Sequence, residues 1–431
     1  MSEAPGSSTG TPSGTGTPSG AGTTGTGTAV AEPAGTTPGG RGGTPATGRP
    51  LAGRLLRAAV LGALLLVLLA IPLYLTPPWL RVGEYAMIGA VGAIGLTLLV
   101  GQTGQLSLAH AFFLAVGAIT YVFMAGKPGG TATVVDGLQL PPIVAMVAAV
   151  LLAGVAGLLF SPIAARLRGI YLGVASLALV FIGLHVLDTW TSVTGGFNGR
   201  GTPDFALFGF QFANRNPFLE IGGVQFKEAH RLWYLGLVLA VLAYLFAKNL
   251  LRSRPGRALQ TLRDSEVAAS VMGVNVQQYK ARVFLVSSMY AGLSGVLYAL
   301  SIGSVAPESF GVEVSVAYLA MIVLGGLGSV GGAAVGALFV TALPFVFQKY
   351  ADALPFVSAP GQGGIAAGQA ARFAYGLAII VVVLFEPGGL VGFANRFRRR
   401  SDRADDGRAS PVTATSDGPA ISNRPAHGST T

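Results

Sequence analysis

Residues 142–162 read PIVAMVAAVLLAGVAGLLFSP, and Arg166 and Arg168 follow within six positions. A charge-free apolar stretch of that length suits only one solvent. At 1.5 Å per helical residue, about 20 residues cross a hydrocarbon layer roughly 30 Å thick, and arginine or lysine just past the end marks the inner side. Working outward, comparable blocks occupy 56–75, 84–101, 104–125, 169–187, 231–248, 281–303, 315–328, 329–347 and 372–391. The whole composition agrees: 51% of residues are hydrophobic and 11% charged, against about 25% charged in soluble domains. The expected fold is all-α, a polytopic transmembrane helical bundle of about ten spans, with eight as the alternative. The block at 315–328 is short enough to be a re-entrant or broken helix.

The net charge of +10 comes from Lys and Arg in short runs beside apolar blocks. That placement points to membrane topology and not to nucleic acid. Ten crossings with the N-terminus inside put Arg166, Arg168, the segment 249–280 and the run Arg396, Arg398, Arg399 and Arg400 on one side, so both termini are expected in the cytoplasm. There is no Cys, which removes disulfides and thiol chemistry. The four His are scattered, so no metal site is expected. No inward carboxylate pair and no Ser with a His partner stands at helical spacing, so no catalytic residue is assigned. An ion-coupled carrier would need acids deep in the bilayer, whereas Glu84, Asp188, Glu313 and Glu386 fall near the ends of the predicted spans.

Three regions follow from composition. Residues 1–50 are almost entirely Gly, Thr, Ser, Pro and Ala, too poor in apolar side chains to offset the entropy of ordering, and are expected to be a disordered arm. Residues 51–395 form the transmembrane domain. Residues 396–431 form a basic, then polar, disordered tail. The longest external segment, 188–230, is rich in Gly and Asn and reads as turns.

The most basic internal stretch is 248–282, where Lys248, Arg252, Arg254, Arg257, Arg263, Lys280 and Arg282 face only Asp264 and Glu266. Pro255 suits the first turn of a helix and Gly273 its left-handed end, and Leu259, Leu262, Ala269 and Met272 recur at near-helical spacing. A short helix over 255–273 on the cytoplasmic face is expected; the charge alone fits a positive-inside loop with no partner equally well, and the helix start and stop signals favour a helix docking into a partner's groove. A second feature is the interruption at 101–110. Gly101 and Gly104 break an apolar stretch, and Gln102, Gln105, Ser107 and His110 offer hydrogen bonds beside the break. That pattern fits a broken helix facing a transport pathway. It also fits close helix packing, with His110 a packed, hydrogen-bonded residue.

These residues carry a resemblance. Gly256-Arg257-Ala258, Arg263-Asp264, Glu266, Ala268-Ala269 and Gly273 resemble the coupling loop of bacterial ABC importer permeases, and most closely the branched-chain amino acid permeases. Gly101 to His110, Arg168 to Leu172 followed by Thr194-Gly195-Gly196, Gly325 to Gly328, and Phe385 to Leu390 are similar to further motifs of that family, in the same order over about 85–395. The last of them suggests the M-type of the family's two paired permeases. Val267 departs from the usual loop, in which Glu directly precedes the Ala pair.

The resemblance implies a plasma-membrane permease for branched-chain or related small amino acids, with relatives that carry urea or short amides. Its partners would be cytosolic ABC ATPases, a homologous second permease, an extracytoplasmic solute-binding protein and membrane lipid. The chain itself has no phosphate loop, since its one Gly-Lys, Gly126-Lys127, runs into Pro128. ATP and Mg are therefore expected on the partner ATPases, and no cofactor on this chain.

Overall fold

Pro77 and Pro78 open a helix rather than break one, because the first-turn N–H groups have no helical acceptor to lose. In the computed structural model, that helix is the second of thirteen among the described residues. The residues described are 51–127, 137–167, 169–207, 210–212, 220–221, 224–350, 357–358, 365–385, 388–390 and 392. The arm 1–50, the tail from 393 and, within the motifs, Arg168, Glu386 and Pro387 lie outside them. The chain divides into Met1–Val60 and Leu61–Thr431. Of the first unit, only the opening turns of α1 are described.

The helices are α1 (Leu51–Tyr74), α2 (Pro77–Leu96), α3 (His110–Ala125), α4 (Pro142–Arg166), α5 (Ile170–Thr189), α6 (Thr191–Thr194) and α7 (Glu228–Arg252). Next come α8 (Arg254–Asp264), α9 (Glu266–Val271), α10 (Val276–Ile302), α11 (Val312–Gly325), α12 (Val330–Lys349) and α13 (Ala367–Phe385). Among the described residues, seven segments are long and apolar enough to cross a membrane, and three shorter apolar helices cover Gly62–Tyr74, His110–Ala125 and Gln369–Val382. The fold is the expected all-α polytopic bundle; seven long spans are seen where about ten were expected.

Helix α10 occupies the centre, packed against α2, α3 and α4. Glycine permits the tightest crossing: a Cβ on Gly117 of α3 would stand 2.5 Å from the Cα of Gly292 in α10. Around this centre, Leu151, Leu159, Phe181, Ile182, Leu242 and Phe246 are exposed. Large apolar side chains turned outward along helix after helix suit lipid or another membrane subunit, not water.

Several sequence expectations are corrected. The second span starts at Pro77 and not at 84, so Glu84 lies two turns inside α2 and is 4% exposed. The third span starts at His110 and not at 104, because the backbone from Gly104 to Leu108 is non-helical. The short block near 315 is a helix of 14 residues preceded by a 3-10 turn at Pro307–Phe310. The expected single helix over 255–273 is two helices broken at Ser265, whose φ of −160° and ψ of 117° are extended. In its apolar stripe, Leu259, Leu262 and Ala269 are buried, but Met272 is 63% exposed. Among its described residues, the segment 188–230 holds no long helix between Thr189 and Glu228. It adds a two-residue strand, Arg200–Gly201, paired antiparallel with Ser304–Val305.

Candidate functional site

Four motifs separated by up to 288 positions along the chain, from Gly101 to Gly389, converge at the end of the bundle that bears α8 and α9. Helix α2 passes into a π-helical turn at Thr97–Gly101, and Gly104 then takes the left-handed conformation at φ 69°. A helix end leaves its last carbonyls without intrahelical donors. Here Gly104 N donates to the Val100 carbonyl at 3.1 Å and Thr103 Oγ1 to that of Leu99 at 2.6 Å. The Gly101 carbonyl is met from another element altogether: Arg263 Nη1, in the last turn of α8, donates to it at 2.8 Å. A cation at a helix C-terminus is favoured by the helix dipole as well.

The second break lies between α11 and α12, where Gly326 and Gly328 have φ of 110° and 84°. Gln102 Nε2 donates to the Gly328 carbonyl at 2.9 Å. A Cβ on Gly101 would stand 2.5 Å from the Gly328 nitrogen, so both positions need glycine for backbone to touch backbone. Gly389, also left-handed, packs on the Gly325-Gly326 backbone. The two helix breaks, the last turn of α8 and the glycines at 388–389 thus meet at one junction.

Beyond the break, residues 104–109 run along α5. Leu106 meets Gly173, Leu108 N donates to Ser176 Oγ at 2.8 Å, and Phe112 lies against Gly183. Gln105 is buried with neither amide atom hydrogen-bonded among the described residues. Ser107 Oγ accepts from Ala109 N at 3.4 Å and so serves the start of α3. His110 is packed, with its ring centroid 4.6 Å from that of Tyr318. The Tyr318 hydroxyl is 2.8 Å from Ser294 Oγ, which also bonds the Ile88 carbonyl at 2.8 Å. Ser315 Oγ accepts from Ala111 N at 3.0 Å. Ser176, Ser294, Ser315 and Tyr318 were not singled out in the sequence. Their only signal there is a lone hydroxyl in an apolar run.

In the α8–α9 segment, Gly256 packs the first turn of α8 onto the Leu250 and Leu251 carbonyls of α7. Glu266 forms an ion pair with Lys280 of α10 at 2.6 Å, tying α9 to the bundle. Ala268 N donates to Ser265 Oγ at 3.2 Å, Ala269 is fully buried, and Gly273 ends the segment at φ 79°. Arg257 and Asp264 are exposed. So are Val267 at 72%, Val271 at 81% and Met272 at 63%.

Apolar spans, two glycine-built helix breaks and an amphipathic segment across one end define a polytopic α-helical membrane protein of the transport type. Residues 80–391 match the family described as "Branched-chain amino acid transport system / permease component", and the chain belongs to it. It is 32% identical over 272 residues to the high-affinity branched-chain amino acid transport system permease protein LivM of Escherichia coli, covering 61% of each chain. The LivH permease of the same organism is 24% identical over 284 residues, 63% of this chain and 86% of LivH. The ribose import permease RbsC of E. coli is 26% identical over 252 residues, 58% of this chain and 69% of RbsC. The chain spans 61% of the length of LivM. No solved structure matches.

Proposed function

We propose that the chain is the membrane-spanning permease subunit of an ATP-driven importer that carries branched-chain or related small amino acids across the plasma membrane. The observation that supports this most is the outward face of α9. Val267, Val271 and Met272 stand exposed on a segment anchored from within by Leu259, Leu262, Ala269 and the Glu266–Lys280 ion pair. Three large apolar side chains at a polar helix end lose water-exposed area only against a partner, and a groove in a cytosolic ABC ATPase would supply it. ATP and Mg would be bound by those ATPases, and no cofactor by this chain.

A homologous second permease and an extracytoplasmic solute-binding protein complete the assembly in this reading. Greater identity to LivM than to LivH supports the M-type place in the pair. The positive clusters at 248–282 and beyond Phe385 support a cytoplasmic C-terminus, and an even number of crossings would bring the N-terminus to the same side. Lipid covers the outer faces, and nucleic acid has no part.

The pathway is assigned to the break at Gly101 to His110. Non-helical backbone at this end of the bundle leaves Gly104 and Leu106 exposed, as residues lining a water-filled entrance would be. Val271→Asp tests the reading. The ATPase subunits should no longer co-purify and ATP-dependent leucine uptake into proteoliposomes should fall to background, while membrane insertion persists. Full uptake and normal ATPase recovery with Val271→Asp and Val267→Asp combined would falsify it.

A further inference from the structure

We propose that Arg263 is a positioning residue that pins the coupling segment to both helix breaks, so that displacement of α8 and α9 moves the breaks at 97–109 and 325–330 together. The inference rests on the ATP-driven reading above and deepens it. It differs from the sequence expectation in direction: Arg263, although exposed, donates through Nη1 to backbone of the permease itself.

Three contacts carry the proposal. Arg263 Nη1 donates to the Gly101 carbonyl at 2.8 Å. Gln102, the next residue, donates through Nε2 to the Gly328 carbonyl at 2.9 Å. A Cβ built on Gly328 would lie 3.2 Å from both Arg263 Nη1 and the Gly101 oxygen, so the two breaks and the guanidinium share one contact point. Helix α8 suits a lever because its inner face is held by Leu259 and Leu262, each 2% exposed. A force on the exposed side of α9 then has two routes into the bundle, the Glu266–Lys280 ion pair to α10 and the last turn of α8, and only the second, where Arg263 stands, meets the helix breaks.

The acceptor explains the choice of arginine. The Gly101 carbonyl belongs to a helix that ends within two residues, so no later N–H of its own helix competes for it. A guanidinium stays charged in any surroundings and holds a planar fork of donors, whereas an ammonium is a compact charge on a flexible stem. The lone glycines opposite leave no side chain to cushion relative movement. Backbone against backbone makes the two breaks shift as one body.

A merely structural Arg263 would cap a helix end and cost stability when removed, without changing how ATP use converts to transport. The test therefore reads a ratio. Proteoliposomes holding the chain with its second permease, ATPases and binding protein are assayed for leucine imported per ATP hydrolysed. Arg263→Gln is expected to lower this ratio about tenfold, the scale of typical coupling between sites, with ATP hydrolysis continuing. Arg263→Lys should recover part of it. Gln102→Ala should lower the ratio in the same direction, and the double variant should fall no further than the worse single one, since both act through one contact.

A second readout needs no cargo. When the ATPases close on ATP and vanadate, amide exchange should change at both 101–109 and 325–330 in the wild type. In Arg263→Gln it should change at neither. A wild type that couples beside an Arg263→Gln variant that couples equally well overturns the pin alone. So does a change at one break without the other in the wild type. If Arg263→Gln does not assemble, Gln102→Ala decides, and an unchanged ratio there overturns the pin. Leucine import by the wild type without ATP overturns the function proposed above as well.

Discussion

Gly292 measures how little room the centre of the bundle leaves. A Cβ there would stand 2.5 Å from the Cβ of Ala153, with Gly117 pressed on it from the other side. Gly292→Leu is expected to cost about 1–3 kcal/mol by overpacking, read as a lower melting temperature in detergent. Gly331→Ala is the control, since nothing lies within 4 Å of a Cβ at that position; its melting temperature should hold or rise slightly, as alanine favours helix. Glycine thus has two uses here, which the letters do not distinguish. Ser294 is the polar counterpart: its hydroxyl joins the Ile88 carbonyl and the Tyr318 hydroxyl, both at 2.8 Å. Ser294→Ala leaves a buried phenol short of a partner and should cost about 1–3 kcal/mol, measurable in the same melts.

At the level of elements, the segment 254–271 is two helices because Ser265 is extended and caps the second one. Its Oγ accepts from Ala268 N at 3.2 Å. Ser265→Ala is expected to cost about 1 kcal/mol of local stability, seen as faster amide exchange over 266–272 with the rest of the chain unchanged. Ala269 behaves differently from what its place in the loop suggests. It is fully buried on the inner face of α9, so Ala269→Asp should lift α9 off the bundle, which protease cleavage within 264–275 would reveal. The start and stop of this segment were legible because Pro255 and Gly273 act locally. The break at Ser265 was missed: Ser is a preferred N-cap residue, but it also occurs inside helices, and the letters alone do not say which role it takes.

On the scale of the whole molecule, the stretch from Gly104 to Leu108 is non-helical beside apolar helices, and Leu106 is 36% exposed. The natural chain has no cysteine, so a single one reports cleanly. Leu106→Cys should react with a membrane-impermeant thiol reagent in assembled transporter and be shielded by transported leucine. Leu98→Cys, at a position 1% exposed, should stay unreactive. Reaction at neither site would remove the pathway from this break. The outward apolar faces of α4, α5 and α7 need no such test, because lipid or a paired subunit satisfies them equally.

Apolar blocks, their length and the charges beside them determined by themselves that this chain is a helical membrane protein. Solvent transfer acts residue by residue and is written in composition. The helix end at Gly273 was likewise read from the sequence, whereas those at Pro77, Gly104 and Gly326 were missed although the stereochemistry of Pro and Gly is local. Only the tertiary structure decided that Arg263 meets Gly101, that Gly101 meets Gly328 and that Gly326 meets Gly389. Those contacts join residues far apart in the chain, and no local preference encodes which carbonyl a distant guanidinium will reach.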